Sequence, residues 1–114
     1  MAIKVQSVEE LQKYFKGVVD RSEHHAPGIA DIIYPLLGMI VLKLDDNSDI
    51  QVRSYDDAPG NMLWVHINGV RYAFRYNHVD DAIEMRKDNY KGPVLHKITN
   101  ETGITGLKSI FDGL

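Results

Sequence analysis

Val8, Leu11, Phe15, Val18 and Val19 recur at helical spacing, with Glu9, Gln12, Lys13, Lys16 and Asp20 between them. A repeat near 3.6 residues gathers the apolar side chains on one stripe. Ser7 and Glu10 have the spacing of a capping box, and Glu9 and Glu10 lie where a helix dipole favours negative charge. The pattern predicts a helix over 8–24, weakened at Gly17 by about 1 kcal/mol relative to Ala. Ala26-Pro27-Gly28 interrupts it. Ile29, Ile32, Ile33, Leu36 and Leu37 resume the helical spacing around Pro35, which lacks an N–H and clashes with a preceding helical turn. A short second helix over 28–37 is expected, ending near Ile33 or kinked.

Period two takes over at Gly38. Ile40, Leu42 and Leu44 alternate with Met39, Val41 and Lys43, and Ile50 and Val52 with Gln51 and Arg53. The acidic stretch 45–49 between them predicts a hairpin. Residues 56–61 form the next turn. A second hairpin is marked by Asn68-Gly69, because both centres of a type I′ turn need positive φ, which Asn and Gly tolerate best. The two-residue loop fixes the register, setting Ile67 against Val70 and, at the far end, Met62 against Arg75. One face then carries Leu63, Val65, Ile67, Val70, Tyr72 and Phe74, each large apolar side chain contributing roughly 1.5–3 kcal/mol when buried. The other carries Met62, Trp64, His66, Arg71, Ala73 and Arg75.

Beyond it, Val79, Ile83 and Met85 sit among early acids and late bases, which predicts a helix over 79–88. Val94–Ile98 is read as a fifth, edge strand, and Ile104, Leu107, Ile110 and Phe111 as a final amphipathic helix. The expected fold is α+β: one compact domain over 1–114, with an antiparallel sheet of four to five strands from two hairpins, packed with N-terminal and C-terminal helices.

Composition narrows the chemistry. The 114 residues are 44% hydrophobic and 25% charged, enough apolar material for a core and too much for disorder. With no cysteine, a disulfide framework, a thiolate metal site and a cysteine nucleophile are excluded. The N-terminus lacks a signal-peptide pattern, and the apolar run Leu36–Leu42 falls short of the about 20 residues that cross a bilayer. A soluble cytoplasmic protein without membrane contact is expected. The net charge of −3 argues against general affinity for nucleic acid.

The mixed hairpin face carries the most chemistry. Trp64, Met62, His66, Arg71 and Arg75 share it, and Arg53 and Tyr55 extend it if the preceding strand lies alongside. Arginines grip carboxylate or phosphate with paired donors, and Trp64 offers a plane for stacking or packing. The face equally suits a structural role or a homodimer interface. Asp45, Asn47 and Asp49 have the alternate spacing of a calcium loop, but Ile50 replaces its glycine and Asp56 its last glutamate, so a solvated turn is the better account. Asp20, Glu23, His24 and His25 lack a third ligand at diagnostic spacing and read as a polar helix end. His66, His78 and His96 have no acid or nucleophile beside them in sequence. No cofactor or metal is implied.

Two readings follow. One is a non-enzymatic binding or adaptor domain acting through protein–protein contacts as a homodimer. The alternative is a domain or enzyme that binds a small anionic ligand in a His-Arg-lined pocket beside the sheet, with an acid such as Asp56 or Asp57 nearby. The first is favoured slightly over a catalytic site.

Overall fold

The computed structural model describes residues 2–5, 8–46, 50–55, 58–77, 79–88 and 92–114, with the backbone alone at 2–5, 8, 53–55 and 58–61. Along the chain come β1 (Ala2–Val5), α1 (Val8–His25), α2 (Ile33–Lys43), β2 (Ile50–Tyr55), β3 (Ala58–Ile67), β4 (Val70–Asn77), β5 (Ala82–Lys87) and β6 (Val94–Ile98). A 3-10 turn, Asn100–Thr102, leads into α3 (Gly103–Asp112). The six strands form one antiparallel meander in sequence order. The α+β class, the terminal helices and the strand at 94–98 are as expected.

The Asn68-Gly69 turn has φ of 51° and 80°, and the β3–β4 register runs from Ile67↔Val70 to Met62↔Arg75 as the two-residue loop requires. Its amides have a distant acceptor. The Asp45 carboxylate accepts from Asn68 N at 2.6 Å and Gly69 N at 2.8 Å, while Asp45 N donates to His66 O at 2.8 Å. Asp45, two residues past α2, thus caps the hairpin.

Two expected elements are different. Residues 39–44 belong to α2 or its C-cap and not to a hairpin strand. Ile33, Leu36, Leu37 and Ile40 are all buried, the i, i+3, i+4, i+7 stripe of a helix, whereas the strand alternation would have buried Leu42, which is 81% exposed. Pro35 is the third residue of α2, within the first turn, where an amide has no intrahelical acceptor to lose. It begins this helix instead of ending one.

Residues 79–88 are a turn followed by β5 and not a helix. Asn77 Oδ1 accepts from Val79 N at 2.9 Å and Asp80 N at 3.1 Å, and Asp81 has φ of 49°. The early acids that imitate a helix start are turn residues. Asp80 pairs with Lys97 Nζ at 2.6 Å, and Asp81 accepts from Tyr76 Oη at 2.6 Å and Gly28 N at 2.8 Å.

One sheet face is covered by helices. Leu63, Val65, Ile67, Tyr72, Phe74, Ile83, Met85 and Ile98 join Leu36 and Ile40 of α2 and Leu107 and Phe111 of α3 in the main core. The link between α1 and α2 is held from both sides. Asn100 Oδ1 accepts from Asp31 N at 3.0 Å and Ile32 N at 2.9 Å, and its Nδ2 donates to Pro27 O at 2.8 Å. From the sheet side, a Cβ on Gly28 would lie 2.5 Å from Asp81 Oδ2, so only glycine allows this approach.

Candidate functional site

The mixed face of the β3–β4 hairpin lies on the side of the sheet away from the helices. Met62, Trp64 and Ala73 form a second small core there, with 1%, 5% and 0% exposure. Trp64 is therefore packed and presents no open stacking platform. Arg71 lies over it, with Cζ 5.3 Å from the ring centroid, a cation–π contact. Arg71 Nη2 donates to Gln51 Oε1 at 3.4 Å and Nη1 is 4.0 Å from Asp88 Oδ1, while Nε has no partner among the described residues. His66 is half-buried opposite Arg71 in the register. The side chains of Arg53 and Tyr55 lie outside the described residues, as do Asn47, Asp49, Asp56, Asp57 and His78.

Beside this core sits a buried charge. Glu84, 4% exposed, accepts from Asn77 Nδ2 at 3.1 Å and from Arg86 Nε and Nη2 at 3.2 and 2.9 Å. Burial alone would raise its pKa. The hydrogen bonds from Asn77 and Arg86, with the charges of Arg86 and Arg75, outweigh burial and lower it. Arg86 Nη1 also donates to Gly92 O at 2.7 Å. The expected ligand face is thus largely committed to internal packing and pairing.

Between α1, the 26–33 link, α2 and the helix-covered side of the sheet lies a cavity of about 240 Å³. Val18, Ile29, Ile33, Leu36 and Leu37 form its walls, and Leu63, Phe74 and Ile83 its floor. The polar residues on its lining are Tyr14, Arg21, Ser22, His25 and Tyr76, and Arg75 borders it from a register position that faces the other side of the sheet. Arg21 and His25 are exposed, so the cavity reaches solvent on their side. Among the described residues that line it, none is a carboxylate.

The hydroxyls are occupied. Ser22 Oγ donates to Val19 O at 2.8 Å within α1, Tyr14 Oη to Met62 O at 3.4 Å, and Tyr76 Oη to Asp81. Burial pushes the Tyr14 phenol up to about 12 against the opposing charge of Arg21. Burial, then the hydrogen bond to Asp81 and its charge, push Tyr76 to about 12 as well. Both phenols stay protonated near neutral pH, leaving the lining with only cationic and neutral groups.

The cavity exists because α1 stands off the sheet. Leu11, Tyr14, Phe15, Val18 and Val19 are only partly buried against the core, and Ser22 is the one fully buried side chain among the described residues of α1. The sequence reading missed Tyr14, Arg21, Ser22, His25 and Tyr76. A signal was present: 14, 18, 21 and 25 follow one another at helical spacing, so the α1 stripe turns from apolar to basic without leaving its face. His24 Nδ1, by contrast, stays with Asp20, 2.8 Å from its carbonyl and 3.6 Å from Oδ1, and both are exposed. Among the described residues, no three metal-ligating side chains gather, and no helix is long and apolar enough to cross a membrane.

No curated protein matches the chain. A family match covers most of it, from the α1 stripe through the cavity lining and the hairpin to α3: residues 11–108 fit the family described as "Integron cassette protein VCH_CASS1 chain", and the chain belongs to that family.

Proposed function

We propose that this protein is a small-molecule-binding domain whose ligand sits in the cavity between α1 and the sheet. One observation carries the reading: a space of about 240 Å³ with apolar walls, lying under a helix whose apolar stripe is only half buried. Ligand sites are typically concave and mostly apolar, with a few polar groups that fix orientation. The cavity opens to solvent beside the exposed Arg21 and His25, so a small molecule has a way in. The lining favours binding over turnover. His25 has no carboxylate beside it on the described lining, and the Ser22 hydroxyl donates to its own helix.

Val18→Trp tests the reading by filling the space from the α1 side. The wild-type chain is expected to gain thermal stability with apolar small molecules, and the variant to lose that response while remaining folded. Equal responses from both would place the binding elsewhere.

A second reading, a homodimer, is favoured by α2. Its outer side exposes Tyr34 (54%), Val41 (42%) and Leu42 (81%), unusual for a helix that is apolar nearly all round. Sedimentation from micromolar to millimolar protein tests it. A constant monomer mass sinks it, and Leu42→Lys is expected to abolish any dimer seen.

A further inference from the structure

We infer that the cavity takes an uncharged apolar molecule bearing one hydroxyl, and that this hydroxyl donates to Ser22 Oγ. This rests on the cavity being a ligand site and names what the site selects. Size sets the body. An apolar protein cavity of about 150 Å³ accommodates benzene, so 240 Å³ suits roughly ten non-hydrogen atoms, such as one ring with a short chain or a small fused pair.

The lining sets the charge. Arg75 sits opposite Glu84 in the register, on the other side of the sheet, and Arg21 is already engaged. His25 is exposed at the mouth. Among the described lining residues none is a carboxylate, and both phenols stay protonated. A charge carried inside would lose its hydration and gain no counter-charge, which is the costliest kind of burial.

The hydroxyls set the direction of the hydrogen bond. Ser22, Tyr14 and Tyr76 each commit their O–H within the protein, to Val19 O at 2.8 Å, Met62 O at 3.4 Å and Asp81 Oδ1 at 2.6 Å. A hydroxyl has one donor and two acceptor lone pairs, so what remains on all three is accepting capacity. A ligand O–H uses it directly. A ligand carbonyl, which only accepts, must first break one of these bonds.

Ser22 is the best placed of the three. It is 3% exposed and lies on the cavity lining, and among the described residues no group donates to its oxygen. Tyr76 Oη is turned to Asp81, beside the Gly28 amide at the 26–33 link. The Tyr14 O–H, held only at 3.4 Å, is the one donor loose enough to turn towards a ligand, so it discriminates least.

Calorimetry with indane, indan-2-ol and indan-2-one tests this, because the three share one apolar body and differ at one carbon. The alcohol is expected to bind about tenfold more tightly than the ketone, the difference between a hydrogen bond made and a buried acceptor left without a donor. Ser22→Ala is expected to bring the alcohol down to the level of the ketone while leaving the affinity for indane unchanged. Equal affinities for alcohol and ketone in the wild-type chain, or tighter binding of the ketone, would overturn the hydroxyl assignment, and indane binding would leave the cavity reading standing. A preference for the alcohol that persists in Ser22→Ala would overturn Ser22 as its acceptor. Binding of none of the three, or binding that survives Val18→Trp, would overturn both.

Discussion

The same side of one sheet is covered in two ways. Under α2 and α3 the apolar side chains are sealed from solvent: Leu36, Ile40, Val65, Ile98, Leu107 and Phe111 are each 2% exposed or less, and Phe74 and Phe111 stack at 6.3 Å. Under α1 no described apolar side chain of the helix is fully buried, and the cavity takes the place of packed atoms. Both helices carry a continuous apolar stripe, so hydrophobicity alone does not separate them. What differs is how each is held. α2 is held by packing along its length, by Asn100 before its start and by α3 at its side, where Lys43 reaches Asp112 at 3.8 Å. A half that is packed to native density contributes stability, and a half that is not is available for a ligand.

The largest expected effect lies in the packed half. Phe111→Ala should cost about 3–5 kcal/mol in urea unfolding, whereas Val18→Ala under α1 should cost less than about 1.5 kcal/mol. Equal costs would end the distinction. Gly28→Ala, at the junction of the two halves, should cost about 1–3 kcal/mol, because the new methyl must displace the Asp81 carboxylate or backbone. Filling the loose half with Val18→Trp should raise stability by about 0.5–2 kcal/mol, the usual range for cavity filling. A loss of that size would mean that the space is not there to fill.

The smallest effect is on acid stability and belongs to the opposite face. The Glu84 pKa is lowered in the fold from 4.5, so its contribution is complete above pH 4.5 and is lost as pH falls through the lower folded value. Glu84→Gln should flatten that part of the pH–stability curve. An unchanged acid limb would show that other carboxylates dominate it.

Local chemistry was readable, and distant chemistry was not. The Asn68-Gly69 register follows from backbone conformation within the hairpin, so it could be set residue by residue. Ile40, Leu42 and Leu44 fit a strand period, but the buried set Ile33, Leu36, Leu37 and Ile40 fits the helix that formed, and the neighbours that decide between them are far away in sequence. Asp80 and Asp81 have the charge pattern of a helix start. Their partners Lys97, Tyr76 and Gly28 are what reveal a turn. The cavity escapes the sequence for a related reason. Alternation along the hairpin made the Trp64 and Arg71 face visible as chemistry and labelled Leu63 and Phe74 simply as core. A cavity is the space that several elements leave unfilled, and no stretch of sequence encodes it alone.

The grip of Asn100 and Asp81 on residues 27–32 has a mechanical consequence. Four hydrogen bonds from these two side chains immobilise the segment just past the end of α1. The helix is thus bolted at its C-terminal end, with Tyr14 Oη at Met62 O and Glu23 at Tyr34 Oη as its lighter ties to the sheet and to α2.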